Sequence, residues 1–561
     1  MQFRLTYGLG AIALLAIALI YWPVVHFSFV WDDWVSFVET PWLTQGDEWK
    51  HYIFRDFNAW TYYFRPLVVG LFTMQVRLFH SAPEPMHVVS LALHLIDVAL
   101  VGVLAWRCAT LTNMDAARRS WVAPLCMLIY GLHPALIETV AWVGCQFDLV
   151  VTLFVLLGLI ANLGIQRRGH RASVIAVIFF LAACSKEAAL SFPFLLVLFD
   201  WMLFSGDQDT RFTTRIATVL GRNWPAYLGV VLAGSGYLIF RHFALGSVTG
   251  QAASPSGGLV AHLYEISVVY LHYLKVIIWP VDGMNVIHPY MPGDFQGPAT
   301  LTTLLAMAAA AIVVAGGLYA TLRFKSVFGS IIVAMTVALL PVLHIIPVDF
   351  ELSLYHDRYT TMALAMACSM LPMLRAPARL KLRATEKLVS LLAGAGIFLW
   401  LAFSIVAIRL ITPNWANDTA LWNWALSAYP HSTIAKTNLL TAYVTDKDYQ
   451  SARKLGDRVL ADPTSCVTCM LKIAELAVNQ GDPNRAAFAL ERARRSPLIN
   501  SDKKTLHGYY LLTGKMLILQ GKPDDAENVL REALSLVPDD PLTKQALASI
   551  TTARNQAPQA R

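Results

Sequence analysis

Two adjacent carboxylates, Asp32 and Asp33, follow the first apolar stretch of the chain in the run Phe29-Val30-Trp31-Asp32-Asp33-Trp34. A charge placed in hydrocarbon costs about 2.5–3.5 kcal/mol or more, so an acidic pair at the mouth of a membrane helix is a candidate active site. Acidic residues also end helices at the water boundary without doing chemistry, and the pair alone does not separate the two readings. As chemistry, the pair suits proton removal from a hydroxyl acceptor. One ionised Asp raises the pKa of its neighbour, and a nearby Arg holds at least one of the two charged.

The elements that would position such a pair are membrane helices. Of 561 residues, 56% are hydrophobic and 14% charged, and the mean hydropathy is +0.51. That is too apolar for a soluble globular chain and predicts a polytopic membrane protein. The run from Leu5 to Val25 lacks a small-residue cleavage site and is read as a retained anchor. Spans of about 20 residues are expected near 5–25, 86–107, 121–138, 149–166, 172–185, 188–204, 224–245, 299–322, 327–346, 358–375 and 388–410, about eleven in all. The net charge of +7 needs no nucleic acid, because basic residues gather in alternate short loops, as cytoplasmic loops do. These hold Arg107, Arg118 and Arg119, then Arg167, Arg168 and Arg171, then Arg211 and Arg215, then Arg323 and Lys325, and last Arg375, Arg379, Lys381, Arg383 and Lys387. Pro66–Phe79 and the stretch 263–279 are short or interrupted by charge, and are expected to lie in the outer interface.

The opposite loops hold carboxylates and cations together. The first has Asp32, Asp33, His51, Arg55, Asp56 and Arg65 among Trp31, Trp34, Trp42, Trp49 and Trp60. The second has His133, Glu138, Trp142 and Asp148, and the third is Ser185-Lys186-Glu187. Lys275, Asp282, His288, Pro289 and Tyr290 mark the fourth; Asp349, Glu351, His356, Asp357 and Arg358 mark the fifth. Each has a plain structural reading: a local Lys186–Glu187 pair at a tight turn, a helix-ending His133-Pro134, an interfacial cap at Arg358, and ties between loops at Glu138 and Asp148. Buried charges must be paired, however, and five such loops predict one polar site. Arg and Lys there would stabilise a phosphate leaving group. The chain has no glycine-rich phosphate loop, so a lipid-linked donor fits better than a soluble nucleotide. A divalent metal between the two Asp residues is allowed by this chemistry but not required.

After about Ile411 the chain becomes polar and repetitive. Ala425, Val459, Ala493 and Ala533 recur in phase, with spacings of 34, 34 and 40, and the first is the period of the tetratricopeptide helix pair. Pro430, Pro463 and Pro538 end second helices, Gly481 and Gly521 sit in turns, and Leu498–Lys504 holds the insertion. An odd number of spans puts this region outside. Of seven Cys, five are scattered through apolar segments; Cys466 and Cys469 form a C-x-x-C read as two packed positions on one helix face in preference to an oxidised pair.

These motifs together resemble the GT-C integral-membrane glycosyltransferases, most closely the transmembrane-and-tetratricopeptide O-mannosyltransferase group and its bacterial relatives. The resemblance rests on Val30-Trp31-Asp32-Asp33, Phe64-Arg65-Pro66-Leu67, His87 to His94, His133-Pro134 through Glu138 and Trp142 to Asp148-Leu149, Ser185-Lys186-Glu187, Tyr273-Leu274-Lys275 to Trp279-Pro280, Asp357-Arg358-Tyr359 and the repeat tail. It implies an all-α fold: a GT-C bundle over 1–410 and a periplasmic or luminal tetratricopeptide solenoid over 411–561. The implied activity moves a sugar from a polyprenyl-phosphate donor to a hydroxyl acceptor, in protein O-glycosylation, with inversion at the anomeric carbon. Asp32 would be the base with Asp33 as alternative; Arg65, Lys186 and Arg358 would contact the donor phosphate. His133, Glu138, Asp148, Glu187, Lys275, His288, His356 and Asp357 would line the cavity, and the repeats would recruit an acceptor protein or glycan. Two departures stand out: Gly144-Cys145-Gln146-Phe147 precedes Asp148 where the group has an Arg, and His356-Asp357 precedes Arg358 where a Glu is commoner. The expected location is a bacterial inner membrane with the N-terminus cytoplasmic. Rival readings are a membrane-anchored scaffold without catalysis and a lipid-linked sugar flippase or polymerase component, which would carry polar residues through its spans.

Overall fold

A computed structural model of the chain describes residues 2–39, 49–55, 63–207, 209–248, 258–281, 284–286, 288, 295, 300–346, 353–374, 383–462, 466–500 and 503–556. Every regular element among them is helical, and the chain separates into two compact units, Met1–Asn417 and Asp418–Arg561.

The first unit runs α1 (Gln2–Tyr21), α2 (Asp32–Trp34), α3 (Trp49–Ile53), α4 (Pro66–Phe79), α5 (Pro83–Leu111), α6 (Ala116–Gly131), α7 (Ile137–Ala141), α8 (Gln146–Gly164), α9 (Arg168–Ala183), α10 (Phe192–Phe204), α11 (Phe212–Leu245), α12 (Gly258–Ile278), α13 (Leu301–Phe324), α14 (Val327–Leu339), α15 (Thr360–Met370) and α16 (Arg383–Ile411). Local sequence sets the ends. Pro66 and Pro83 open α4 and α5, where a missing N–H costs nothing. Asp115 accepts from the amides of Ala117 and Arg118 to start α6, and Thr300 and Thr303 form a reciprocal cap on α13.

Burial sorts the apolar helices. In its most apolar window α8, with the turn before it, is 72% buried, against 17% for α11 and α13. So α8 is the hub, packed on α5 and α9, while α11 and α13 turn most of their surface outward, as helices in lipid do. Among the described residues seven helices are long and apolar enough to cross a membrane, and an eighth results if α6 and the segment Pro134–Ala141, bent by 58°, count as one. The other stretches expected as spans, 172–185, 327–346 and 358–375, are the shorter helices α9, α14 and α15. Helix α4 is the short apolar helix expected at Pro66–Phe79.

The expected boundary after residue 410 falls seven residues early. Beyond α16 the chain continues in a 3-10 turn, Thr412–Trp415, with Thr412 and Trp415 buried, and Ala416 accepts from the Ser28 amide at 3.0 Å. These contacts hold the turn in the first unit.

The second unit is a run of helices: α17 (Asp418–Ala428), α18 (Thr433–Thr445), α19 (Tyr449–Ala461), α20 (Val467–Asn479), α21 (Pro483–Arg494), α22 (Lys503–Leu519), α23 (Pro523–Leu536) and α24 (Pro541–Gln556). Sequence neighbours pack on each other, α17 on α18, α20 on α21 and α22 on α23. The in-phase residues Ala425, Val459, Ala493 and Ala533 are all buried, because only small side chains let paired helices approach closely. Gly481 and Gly521 follow α20 and α22 at φ of 70° and 71°, the left-handed helix stop that favours glycine. Asp448 and Asp482 cap α19 and α21 through the amides of Ser451 and Arg485. Pro463 lies outside the described residues. Contrary to the reading of two merely packed thiols, Cys466 and Cys469 are joined by a disulfide. Cys466 is the residue before the first turn of α20, and the helix brings Cys469 back over it.

Candidate active site

Trp31 carries φ 55° and ψ −125°, a left-handed conformation costing a non-glycine residue about 1–3 kcal/mol. Beyond it the two neighbouring carboxylates differ in exposure. Asp33 is buried at 1% exposure and accepts from the Gly144 amide at 2.9 Å; Asp32 stays exposed. The Trp31 ring stacks on Trp142, with centroids 5.0 Å apart and planes within 10°, so the first and second loops are locked together beside the pair. Burial pushes the Asp33 carboxyl well above the usual carboxylate range, against hydrogen bonds from the Val30 and Gly144 backbone. Protein crowding does the same to Asp32 more mildly, and the charge of Arg358 opposes it. The two Asp residues and the arginine that precedes α15 therefore share one electrostatic neighbourhood.

Three cations from three other loops meet there, each already held by a carboxylate. Arg358 donates from Nη1 to Glu138 Oε1 at 2.5 Å, and its backbone amide donates to Glu138 Oε2 at 3.0 Å. Lys186 Nζ donates to Asp148 at 2.5 Å. Arg65 grips Glu187 Oε2 through Nε and Nη2 at 3.0 and 2.8 Å, and Arg241 of α11 approaches the other oxygen at 3.3 Å. So Glu138 and Asp148 tie the second loop to the fifth and third, as expected, but Lys186 and Glu187 do not pair with each other. Aromatic faces carry the cations: Arg358 lies 4.9 Å from the Trp142 ring centre, Lys186 4.6 Å from Tyr359 and Arg65 3.7 Å from Tyr63. The three also feel one another. Burial lowers the Lys186 pKa, Asp148 resists, and the charges of Arg65 and Arg358 add to the lowering.

A histidine and carboxylate group borders this cluster. His288 Nε2 lies 3.6 Å from Asp357 Oδ1, and His356 Nδ1 lies 3.8 Å from Glu138. Burial, with help from Glu138, pushes Asp357 well above the usual range, and burial keeps His356 neutral. His272, His288 and Asp357 bring one ligand atom each within 4.8 Å of one another. Nitrogen and carboxylate donors of this kind suit Zn²⁺, with a closure of up to about 1.5 Å toward the tetrahedral distances. Among the described residues, these three form the group of ligand side chains that could hold a metal ion.

Not every expected residue joins the cluster. His133 is buried but commits both ring nitrogens to backbone: Nδ1 accepts from the Ala135 amide at 3.3 Å, and Nε2 lies 3.0 Å from Ile277 O. It ties the 58° bend to α12 and offers no proton. Lys275 is exposed on α12. Asp56, Trp42, Trp60, Asp282, Pro289, Tyr290, Asp349 and Glu351 lie outside the described residues, as does the side chain of His51. Arg241 and His272 were missed by sequence reasoning. Arg241 sits near the end of an apolar stretch, where it reads as an interfacial cap, and His272 lies on a helix read as interfacial.

Comparison of the chain with family models, with curated proteins and with solved structures returns no match.

Proposed function

We propose that this protein is a membrane glycosyltransferase of the GT-C type, moving a sugar from a polyprenyl-phosphate donor to a hydroxyl acceptor at the outer membrane face. The reading takes eleven helices across the bilayer and a tetratricopeptide solenoid that recruits the acceptor protein. One observation carries it: an acidic pair and three cations from separate loops share a single electrostatic neighbourhood, with Asp32 open to water in the field of Arg358.

In the reaction, Asp32 takes the proton of the acceptor hydroxyl as its oxygen bonds to the anomeric carbon. The bond from that carbon to the phosphate oxygen breaks, and polyprenyl phosphate leaves with the electron pair. A base works best with a pKa near the working pH, and crowding moves Asp32 in that direction. Charge growing on the phosphate meets Arg358, Lys186 and Arg65. Each spends only part of its donor set on its carboxylate, and the planar Arg forks match phosphate oxygens. The paired carboxylates hold the cations in place before the donor arrives, so little reorganisation is left for the transition state. Trp31 and Trp142 offer a stacked aromatic wall for a sugar face.

The test is release of polyprenyl phosphate from synthetic polyprenyl-phosphate sugars by the full chain in proteoliposomes, with hydroxyl peptides as acceptors. Turnover abolished in Asp32→Asn, with protein yield and thermal melting unchanged, is the expected result. No release with any sugar tested, or release that ignores Asp32 and Arg358, would refute the reading.

A further inference from the structure

At the end of the bundle marked by basic loops, a cavity of about 370 Å³ opens between the start of α11 and the end of α13, lined by Asp209, Thr210, Arg211, Phe212, Arg215, Leu322 and Arg323. Its floor is Arg215, 2% exposed. Nη1 donates to Leu322 O at 2.9 Å, and the guanidinium lies 4.3 Å from the Trp201 ring centre, but Nε and Nη2 have no hydrogen-bond partner. A buried guanidinium with two idle nitrogens is costly unless an anion meets it. Among the described residues nothing does so: Asp209 lines the same cavity, yet no ion pair joins it to Arg211, Arg215 or Arg323. Further positive charge lies close by, since Arg215 is within electrostatic reach of Arg323 and of Lys325; Lys325 is held by Gly206 O at 2.7 Å and faces Asp207. The first turn of the 34-residue α11 also opens here with no side-chain cap and no acidic residue. Its free amides add to the anion-binding character.

We propose that this cavity binds the phosphate of an anionic lipid headgroup, with Arg215 Nε and Nη2 gripping it from the floor and Arg211 and Arg323 from the rim. A lipid is preferred to soluble phosphate because the rim is greasy. Phe212 and Leu322 line it; Phe212 is 50% exposed, as is Phe324 at 49% next to the lining residue Arg323, and both phenylalanines stand on helices whose most apolar windows are only 17% buried, where acyl chains lie. The site is remote from the acidic pair and does not depend on the transferase reading.

The full chain, stripped of lipid in neutral detergent, would be titrated with mixed micelles of phosphatidylglycerol, of net-neutral phosphatidylcholine, or with inorganic phosphate, and followed by thermal melting and native mass spectrometry. Phosphatidylglycerol should raise the melting temperature and remain as a bound adduct, whereas phosphatidylcholine should do neither. The double variant Arg211→Gln/Arg323→Gln changes only exposed side chains and should bind about tenfold more weakly, as expected for loss of charge-assisted hydrogen bonds; Arg215→Gln should bind least. Equal effects of both lipids, or undiminished binding by the double variant, would overturn the site. Equal stabilisation by inorganic phosphate would overturn the lipid as its ligand.

Discussion

Two buried polar clusters occupy opposite ends of α8 and α10, about 20 Å apart at 1.5 Å per helical residue. At one end Asp200 receives hydrogen bonds from Arg222, from Asn162 at 2.8 Å, from Asn223 at 2.6 Å and from Tyr227 at 2.7 Å. Four donors fill the lone pairs of a carboxylate. Arg171 completes the set by bonding Asn223, Ile165 O and Arg222 O, each at 3.0 Å, and none of these residues has a buried polar atom left over. At the other end, the charges are paired and the Trp142 indole faces the Asp33 carboxylate, but His356 Nδ1 makes no hydrogen bond, Trp31 is strained and Asp32 faces water. The saturated cluster has nothing left to bind with and staples α8, α9, α10 and α11. The other keeps an exposed carboxylate, an idle histidine nitrogen and a strained backbone in reserve, which is the condition for acting on a ligand.

The contrast can be broken most directly at the acidic pair. Asp32→Asn should lower sugar transfer by about 10²–10⁴-fold, the usual worth of a general base. In the unaltered chain the acid limb of the rate profile should lie above the pH of an ordinary aspartate, with activity rising as pH rises, because the Asp32 pKa is raised. Next in size, Asp200→Ala strands four donors in the interior and should cost about 3–5 kcal/mol of stability, read from thermal melting in detergent. If it instead left stability intact and removed activity, the two clusters would have been assigned the wrong roles. Arg358→Lys keeps the charge but loses the fork, and should reduce transfer about tenfold with melting little changed.

The smallest effect has the opposite sign. Asp33 has a folded-state pKa raised by burial, so its ionisation opposes folding. Stability is lost as pH rises from the unfolded value through the folded one. Asp33→Asn should therefore melt higher than the parent at neutral pH, with the gap closing in acid below about pH 4. A lower melting temperature at neutral pH would show that the Gly144 hydrogen bond outweighs desolvation.

Much of this was legible in the chain before it was folded. Apolar runs near 20 residues marked most long helices, Pro66 and Pro83 marked helix starts, and the period of 34 put Ala425, Val459 and Ala493 on buried faces. The loop ties at Glu138 and Asp148 followed from the rule that buried charge needs a partner. What escaped was long-range partner choice: Lys186 beside Glu187 reads as a pair, yet Lys186 reaches back to Asp148 and Glu187 holds two arginines. The Asp200 cluster escaped as well, since Asn162, Arg222 and Asn223 look like ordinary polar residues near helix ends.

By itself, then, the sequence determined where helices form and which loops carry charge, because hydropathy and capping act over a few residues. Only the tertiary structure decided which carboxylate each cation holds, which cluster is saturated, and that Arg215 is buried with idle nitrogens. Those outcomes depend on residues up to some 220 positions apart, as for Glu138 and Arg358, and no local pattern encodes which of several nearby charges will finally be in reach.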